Sequence, residues 1–179
     1  QGYLGYLESQ SRRFVFQRFL ARDKGLSYYQ MLYEDHSQLL QISIDDNWCE
    51  AIKSKLLFGT IENNFVFNYL DYLLWVRNRN RNKVVERFEF TFRSSVEHFS
   101  PQHPRDGYKP VEKGALHSFG NLCLISQSKN STLGNDQPQQ KQKHFEASLA
   151  NNQIDSLKLL DMIQLMKGEK GRWTEVEIL

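Results

Sequence analysis

The chain is poor in cysteine. Cys49 and Cys123 are its only two among 179 residues, with no CxxC pair for a structural zinc and no closely spaced even set to staple a small secreted scaffold. No apolar run approaches the roughly 20 residues of a membrane span, so a soluble protein is expected. Neither sign of charge dominates: 23 basic against 21 acidic residues leave a formal +2. That sum alone does not supply the concentrated basic face with which proteins meet nucleic acid. The N-terminal "QGYLGYLESQSRR" offers neither a starting methionine nor a basic-then-apolar leader, from which an excised fragment of a cytoplasmic protein is expected. Also missing are the Gly-x-Ser-x-Gly elbow of serine hydrolases and the Gly-x-x-x-x-Gly-Lys loop that cradles nucleotide phosphates. Cys123 lies in an apolar stretch, where a buried, inert thiol is the usual outcome.

What is present fits one ordinary domain, with 40% hydrophobic and 25% charged residues and enough length to bury a substantial core. From about Ser9 to Glu34, Phe14, Phe19 and Leu20, then Tyr28, Met31 and Leu32, recur at helical spacing and break near Gly25, which predicts two helices. "DDNWCEAIKSKLL" opens on an Asp cap candidate. "IENNFVFNYLDYLLWVRN" sets Phe65, Tyr69, Tyr72 and Leu73 on one stripe, read as core packing. The block "RNRNRNK" from Arg77 to Lys83 reads first as a solvated helix end with cations near its negative terminus. A phosphate-contacting patch is the second reading.

The period then changes to two: Phe88, Phe90 and Phe92 alternate with Glu89, Thr91 and Arg93, the pattern of a strand. About twenty loop-like residues follow Pro101, long enough in a compact domain to suggest a function. "FGNLCLIS" reads as a second short strand, and "QPQQKQKHFEASLANN" and "DSLKLLDMIQLMKG" as helices, the latter with Leu157, Leu160, Met162 and Leu165 apolar.

Three points stand out together: Glu97-His98, Gly120-Asn121-Leu122 and Asn130-Ser131, with the two asparagines nine positions apart. Alone each is commonplace, since a Glu-His pair is usually a surface pair and Gly-Asn usually a turn; the joint spacing is specific. It resembles the HNH, or His-Me finger, nuclease motif. More closely, "SVEHFSPQHP", "LHSFGNLCLISQSKNSTLGN" and Lys141 resemble the DUF1524 domain found behind DUF262 in bacterial restriction and phage-defence proteins. The resemblance is dense from Val96 to Lys141. Its one departure is Glu97, where many such sites carry Asp, which lengthens the arm to a metal.

The resemblance implies a mainly helical α+β fold in which a helical flank over 1–84, a ββα-metal nuclease core over 85–150 and C-terminal helices over 151–179 form one compact domain. It also implies a metal-dependent DNA endonuclease acting as the effector of an anti-phage restriction system. Phosphodiester hydrolysis needs a water deprotonated, a phosphoryl group neutralised and a leaving oxyanion stabilised. His98 is expected as general base, titrating near working pH. Glu97 and the amide oxygen of Asn130 are expected as hard oxygen ligands for Mg²⁺ or Mn²⁺. For both Glu97 and His98 to serve one site, the strand must bend there.

Asn121 is expected to hold the loop and orient His98, and Lys141, Lys129 and Arg105 to meet backbone phosphates. His36, His103, His117 and His144 are read as structural or exposed, with His117 the one placed to face the site. Asn130-Ser131-Thr132 spells a glycosylation sequon, taken as coincidence. Expected partners are DNA, an N-terminal DUF262-type domain that supplies nucleotide hydrolysis from outside this chain, and a second copy if both strands are cut. The rival reading is a non-catalytic DNA-binding or regulatory domain that retains the HNH fold.

Overall fold

A computed structural model describes residues 2–34 and 46–179; the Asp45 cap candidate and His36 lie outside the described residues. The chain divides into two compact units, residues 1–69 and 70–179.

In the first unit, α1 (Tyr3–Arg13) runs on into a π-helical turn, Phe14–Phe19. The chain then folds back so closely that a Cβ on Gly25 would sit 2.6 Å from the Arg18 carbonyl oxygen. Only glycine permits that approach, which explains the break in the helical pattern. Ser27 and Gln30 form a reciprocal capping box at the start of α2 (Tyr28–Tyr33), satisfying two amides that the first turn leaves free. Val15, Phe19, Leu20 and Met31 are buried, whereas Leu32 is 63% exposed. α3 (Asp46–Lys55) follows, and α4 (Phe65–Asn78) begins in this unit and ends in the next.

The second unit is mainly helical with one small sheet, an α+β arrangement as expected. After α5 (Lys83–Glu86) come β1 (Ser95–His98), α6 (Lys113–Leu116), a 3₁₀ turn (Phe119–Asn121), β2 (Leu122–Ile125) and α7 (Gln127–Leu133). α8 (Pro138–Ala150), α9 (Leu157–Gly168) and α10 (Glu175–Ile178) complete the order. β1 and β2 pair antiparallel, with Ser95 opposite Ile125 and His98 opposite Leu122. All four β2 residues are buried, and Cys123 and Ile125 share a core with Phe99, Phe145, Leu157, Leu159, Ile163 and Met166. Each such aliphatic side chain contributes about 1.5–3 kcal/mol through burial. α10 closes over the start of β2 so tightly that a Cβ on Gly120 would collide with the Ile178 carbonyl. Among the described residues no helix is long and apolar enough to cross a membrane.

Three expectations are corrected. The alternating run 88–92 forms no strand, with the Thr91 amide donating back to the Glu89 carbonyl at 2.9 Å, and the strand starts at Ser95. Its aromatics do not share a face: Phe88 is buried, while Phe90 is 50% and Phe92 90% exposed. Local aromatic contacts arrange this run in place of a ladder, with Phe90 edge-on to Phe88 (centroids 4.9 Å) and to Trp75 (6.1 Å). The second strand is shorter than "FGNLCLIS", because Phe119–Asn121 is spent on the 3₁₀ turn. On α4 the deeply buried positions are Val66, Phe67 and Asp71, and Leu73 is exposed. A helix apolar on most sides carries little phase information, and the buried carboxylate of Asp71 sits on the face that the aromatic stripe did not mark.

Candidate active-site cleft

The candidate residues gather where β1 ends. Successive strand residues point to opposite faces, yet Glu97 and His98 both line one shallow cleft of about 300 Å³, together with Gln102, Asn130 and Asn135. His98 is the last residue of β1, and the chain bends at Phe99 and Ser100. α7, which follows β2 directly, brings Asn130 to the same cleft, where its Nδ2 donates to Ser95 Oγ at 2.7 Å. The Ser95 bond ties the helix to the beginning of β1.

A buried charge pair forms part of the cleft's lining. Lys141, on α8, is 1% exposed; its Nζ lies 2.5 Å from Glu97 Oε1 and donates to the His98 carbonyl at 2.5 Å. That carboxylate oxygen is buried and has no well-aligned hydrogen-bond donor, so the contact with Lys141 is ionic more than directional. Burial pushes the Glu97 carboxyl up, against the opposing pull of the Lys141 ammonium. The ammonium is thus committed to two β1 residues within the fold.

His98 is 5% exposed. Burial first, then His117 and Lys141 beside it, lower its pKa to about 4, so the imidazole is neutral at neutral pH. Gln102 Nε2 lies 3.1 Å from Nδ1, and His117 Nδ1 lies 3.2 Å from Nε2. An amide nitrogen can only donate. With Gln102 so oriented, Nδ1 is the acceptor, and Nε2 carries the hydrogen and donates to His117. The basic lone pair then points to the side lined by Gln102.

Asn121 is wholly buried behind the cleft, and both ends of its amide are used. Its Nδ2 donates to the Ser100 and Leu116 carbonyls at 3.0 and 2.9 Å, and its Oδ1 accepts from Ser100 N–H at 2.8 Å and Trp173 Nε1–H at 3.1 Å. It therefore pins the bend after His98 to the corner that precedes β2. Lys129 and Arg105 are not in the cleft. Lys129 pairs with Asp155 at 2.9 Å and lines a separate cleft, while Arg105, 62% exposed, pairs with Asp136 at 2.6 Å. Asp136 also meets His144 Nε2 at 3.0 Å. Gln102, Ser95 and Trp173 were not singled out from the sequence.

A hard divalent cation usually takes one or two carboxylates, neutral oxygens and several waters, leaving substrate phosphates to complete its shell. Glu97 and Asn130 fit that donor set, with one carboxylate and one amide oxygen lining the same cleft. Among the described residues no group of three or more His, Cys, Asp or Glu side chains is placed to hold an ion, so substrate and water oxygens would supply most of the shell.

This arrangement belongs to a class already indicated by its sequence, the C-terminal domains of restriction-type nucleases: residues 50–179 match the family model described as GmrSD restriction endonucleases, C-terminal domain. The chain belongs to that family, and the matched span runs from α3 to the last residue, so it contains every candidate residue named above. No curated protein and no solved structure matches the chain.

Proposed function

We propose that this chain is the DNA-cutting effector domain of a restriction system, an HNH-type endonuclease that hydrolyses phosphodiester bonds with His98 as general base. The observation that carries the reading is the convergence of Glu97, His98 and Asn130 on one cleft from β1 and α7. A neutral His98, with Nδ1 accepting from Gln102, is in the state that takes a proton from water once the Gln102 amide gives way. Asn121 fixes the bend that aims it. Glu97 and Asn130 would hold Mg²⁺ or Mn²⁺, which when bound neutralises charge on phosphoryl and leaving oxygens. Lys141, which lines the same cleft, serves this site through Glu97 and the His98 carbonyl, beside the phosphate contact that the resemblance suggests. A DUF262-type N-terminal domain, with its nucleotide hydrolysis, fits as the controlling partner. Two copies would be needed for symmetric double-strand cutting.

A specific observation favours a second reading: the carboxylate of the cleft is already matched by Lys141, and no three-ligand acidic or His cluster stands among the described residues. Under that reading the chain is a DNA-binding or regulatory domain that keeps the fold without cutting. The deciding experiment incubates supercoiled plasmid with the protein and Mg²⁺, Mn²⁺ or EDTA, alongside His98→Ala. Metal-dependent nicking that disappears in the variant is the expected result. Metal-independent DNA binding, equal in both proteins and without nicking under any metal, would establish the second reading instead.

A further inference from the structure

A second, larger cleft has a volume of about 580 Å³. It lies between the unpaired run 87–93 and the segment that joins α8 to α9, with Ser126 and Lys129 on its wall. Three cationic side chains line it: Arg87, Arg93 and Lys129. We propose that this cleft is a phosphate subsite, seating a backbone phosphate of the DNA strand within about four nucleotides of the bond in the His98 cleft. The inference rests on the nuclease reading above and extends it to substrate positioning.

Arg93 carries the argument. It is 7% exposed, an unusual place for a guanidinium, which is almost never fully buried without a partner. Nη2 donates to the Glu89 carbonyl at 2.7 Å and the guanidinium stacks over the Phe88 ring at 4.7 Å, but Nη1 is buried without a hydrogen-bond partner. Orphaned buried donors are rare because each forfeits its hydration without replacement. The segment 88–92 belongs to no sheet. Burial also places this charge where water screens it poorly, so its field reaches further into the cleft than that of an exposed cation.

Glu89 and Asp155 line the same cleft, and the carboxylates of Asp71 and Asp155 act on the Arg93 guanidinium, against the downward pull of burial on its pKa. Asp155 is satisfied inside the wall, accepting from Ser126 N–H at 3.1 Å and Ser126 Oγ–H at 2.9 Å and pairing with Lys129. Arg87 is exposed, and with Arg93 it leaves the cleft a cationic excess of one over its two carboxylates. Geometry links the cleft to the first. Lys129 and Asn130 are neighbours on α7, and Arg93 precedes Glu97 by four residues, at most about 14 Å of chain. That span is roughly four nucleotide rises along one strand.

The test is binding of a fluorescein-labelled 20-base-pair duplex in EDTA, where no cutting occurs, titrated between 50 and 200 mM salt. Arg87→Gln and Arg93→Lys are compared with the unmutated protein, and thermal unfolding confirms that each variant is folded. Each lost phosphate contact should lower the slope of log K against log salt by about 1. We expect that change in Arg87→Gln, with Kd at 100 mM salt weaker by roughly tenfold; Arg93→Lys, which keeps charge but loses the fork, should weaken binding with the slope retained. Unaltered Kd and slope in a folded Arg87→Gln overturn the subsite. If the unmutated protein still nicks plasmid, the nuclease reading survives that failure. If it neither binds nor nicks DNA, both readings fall together.

Discussion

Replacing Lys141 by methionine removes the ammonium and keeps most of the side-chain volume. In the native protein that ammonium lies 2.5 Å from Glu97 Oε1 and donates to the His98 carbonyl, with Lys141 only 1% exposed. Without it, Glu97, 7% exposed, must either remain ionised and unpaired or take up a proton. Removing one partner of a buried pair costs about 3–5 kcal/mol. Protonation caps that cost: the ordinary glutamate pKa is 4.5, and holding the proton at pH 7 costs about 1.4 kcal/mol for each of the ~2.5 intervening units, or about 3.4 kcal/mol. Losing the donor to the His98 carbonyl adds roughly 1 kcal/mol.

The pH dependence separates this account from a general packing defect. In the variant the folded pKa of Glu97 lies well above its unfolded value. Folded protein then holds a proton that unfolded protein has released, so stability is full below about pH 4.5 and falls as pH rises toward the folded pKa. The gap between wild type and Lys141→Met should therefore reach at most about 4.4 kcal/mol at pH 7 and shrink to at most about 1.7 kcal/mol at pH 5. Urea unfolding followed by tryptophan fluorescence, with buried Trp173 as reporter, measures both. Adding Glu97→Gln to Lys141→Met should recover part of the pH 7 loss, because the neutral amide has no proton to find. A loss below 1 kcal/mol, equal at both pH values, would refute the reasoning. If such a variant also bound DNA more weakly, Lys141 would return to the phosphate-contacting role suggested by its sequence position.

Asn130→Ala removes one proposed oxygen ligand and the bond to Ser95 Oγ; the Mn²⁺ midpoint for plasmid nicking should rise by roughly tenfold, while Ser95→Ala should leave it near the native value, and an unmoved midpoint in Asn130→Ala would remove Asn130 from the ligand set. Asp71 is 1% exposed, accepts from Ser156 Oγ–H and Lys158 N–H, and is raised by burial from 3.8 to about 6. Its folded pKa exceeds the unfolded one, so its contribution is full below about pH 3.8 and is lost as pH climbs to 6. Asp71→Asn should flatten the pH–stability curve between pH 4 and 6 by about 3 kcal/mol, and a curve that keeps its slope in the variant would show that Asp71 does not titrate there.

How much of the fold could be read in advance follows from the range of each interaction. The helices 138–150 and 157–168 have their causes close by: Pro138 with the Gln137–Gln140 box opens one, and Ser156 capping the Leu159 amide opens the other. The break near Gly25 was equally local. The strand was misplaced because period-two alternation does not say which residues find a partner. Which extended residues pair is decided by β2, more than twenty residues away, and β2 pairs with Ser95–His98. The α4 phase failed for a related reason. Asp71 faces inward to accept from the Lys158 amide and Ser156 at the start of α9, a partner that no local pattern on α4 announces.

The candidate cleft shows the same division, with a chemical consequence. Glu97, His98 and Asn130 could be picked out because their residue types and spacing are constrained by what they would touch, and β1 and α7 do bring them to one cleft. Lys141 occupies a position that resemblance marked as well, but position does not say which way a charge faces. An ammonium on α8 can reach solvent phosphate or turn inward, and the decision lies with Glu97, a buried carboxylate that would otherwise stand uncompensated. Lysine at 141 and glutamate at 97 are in this sense one feature. A shorter aspartate at 97 would draw its carboxylate back toward β1 and away from Nζ, so the buried lysine matches the reach of the longer acid.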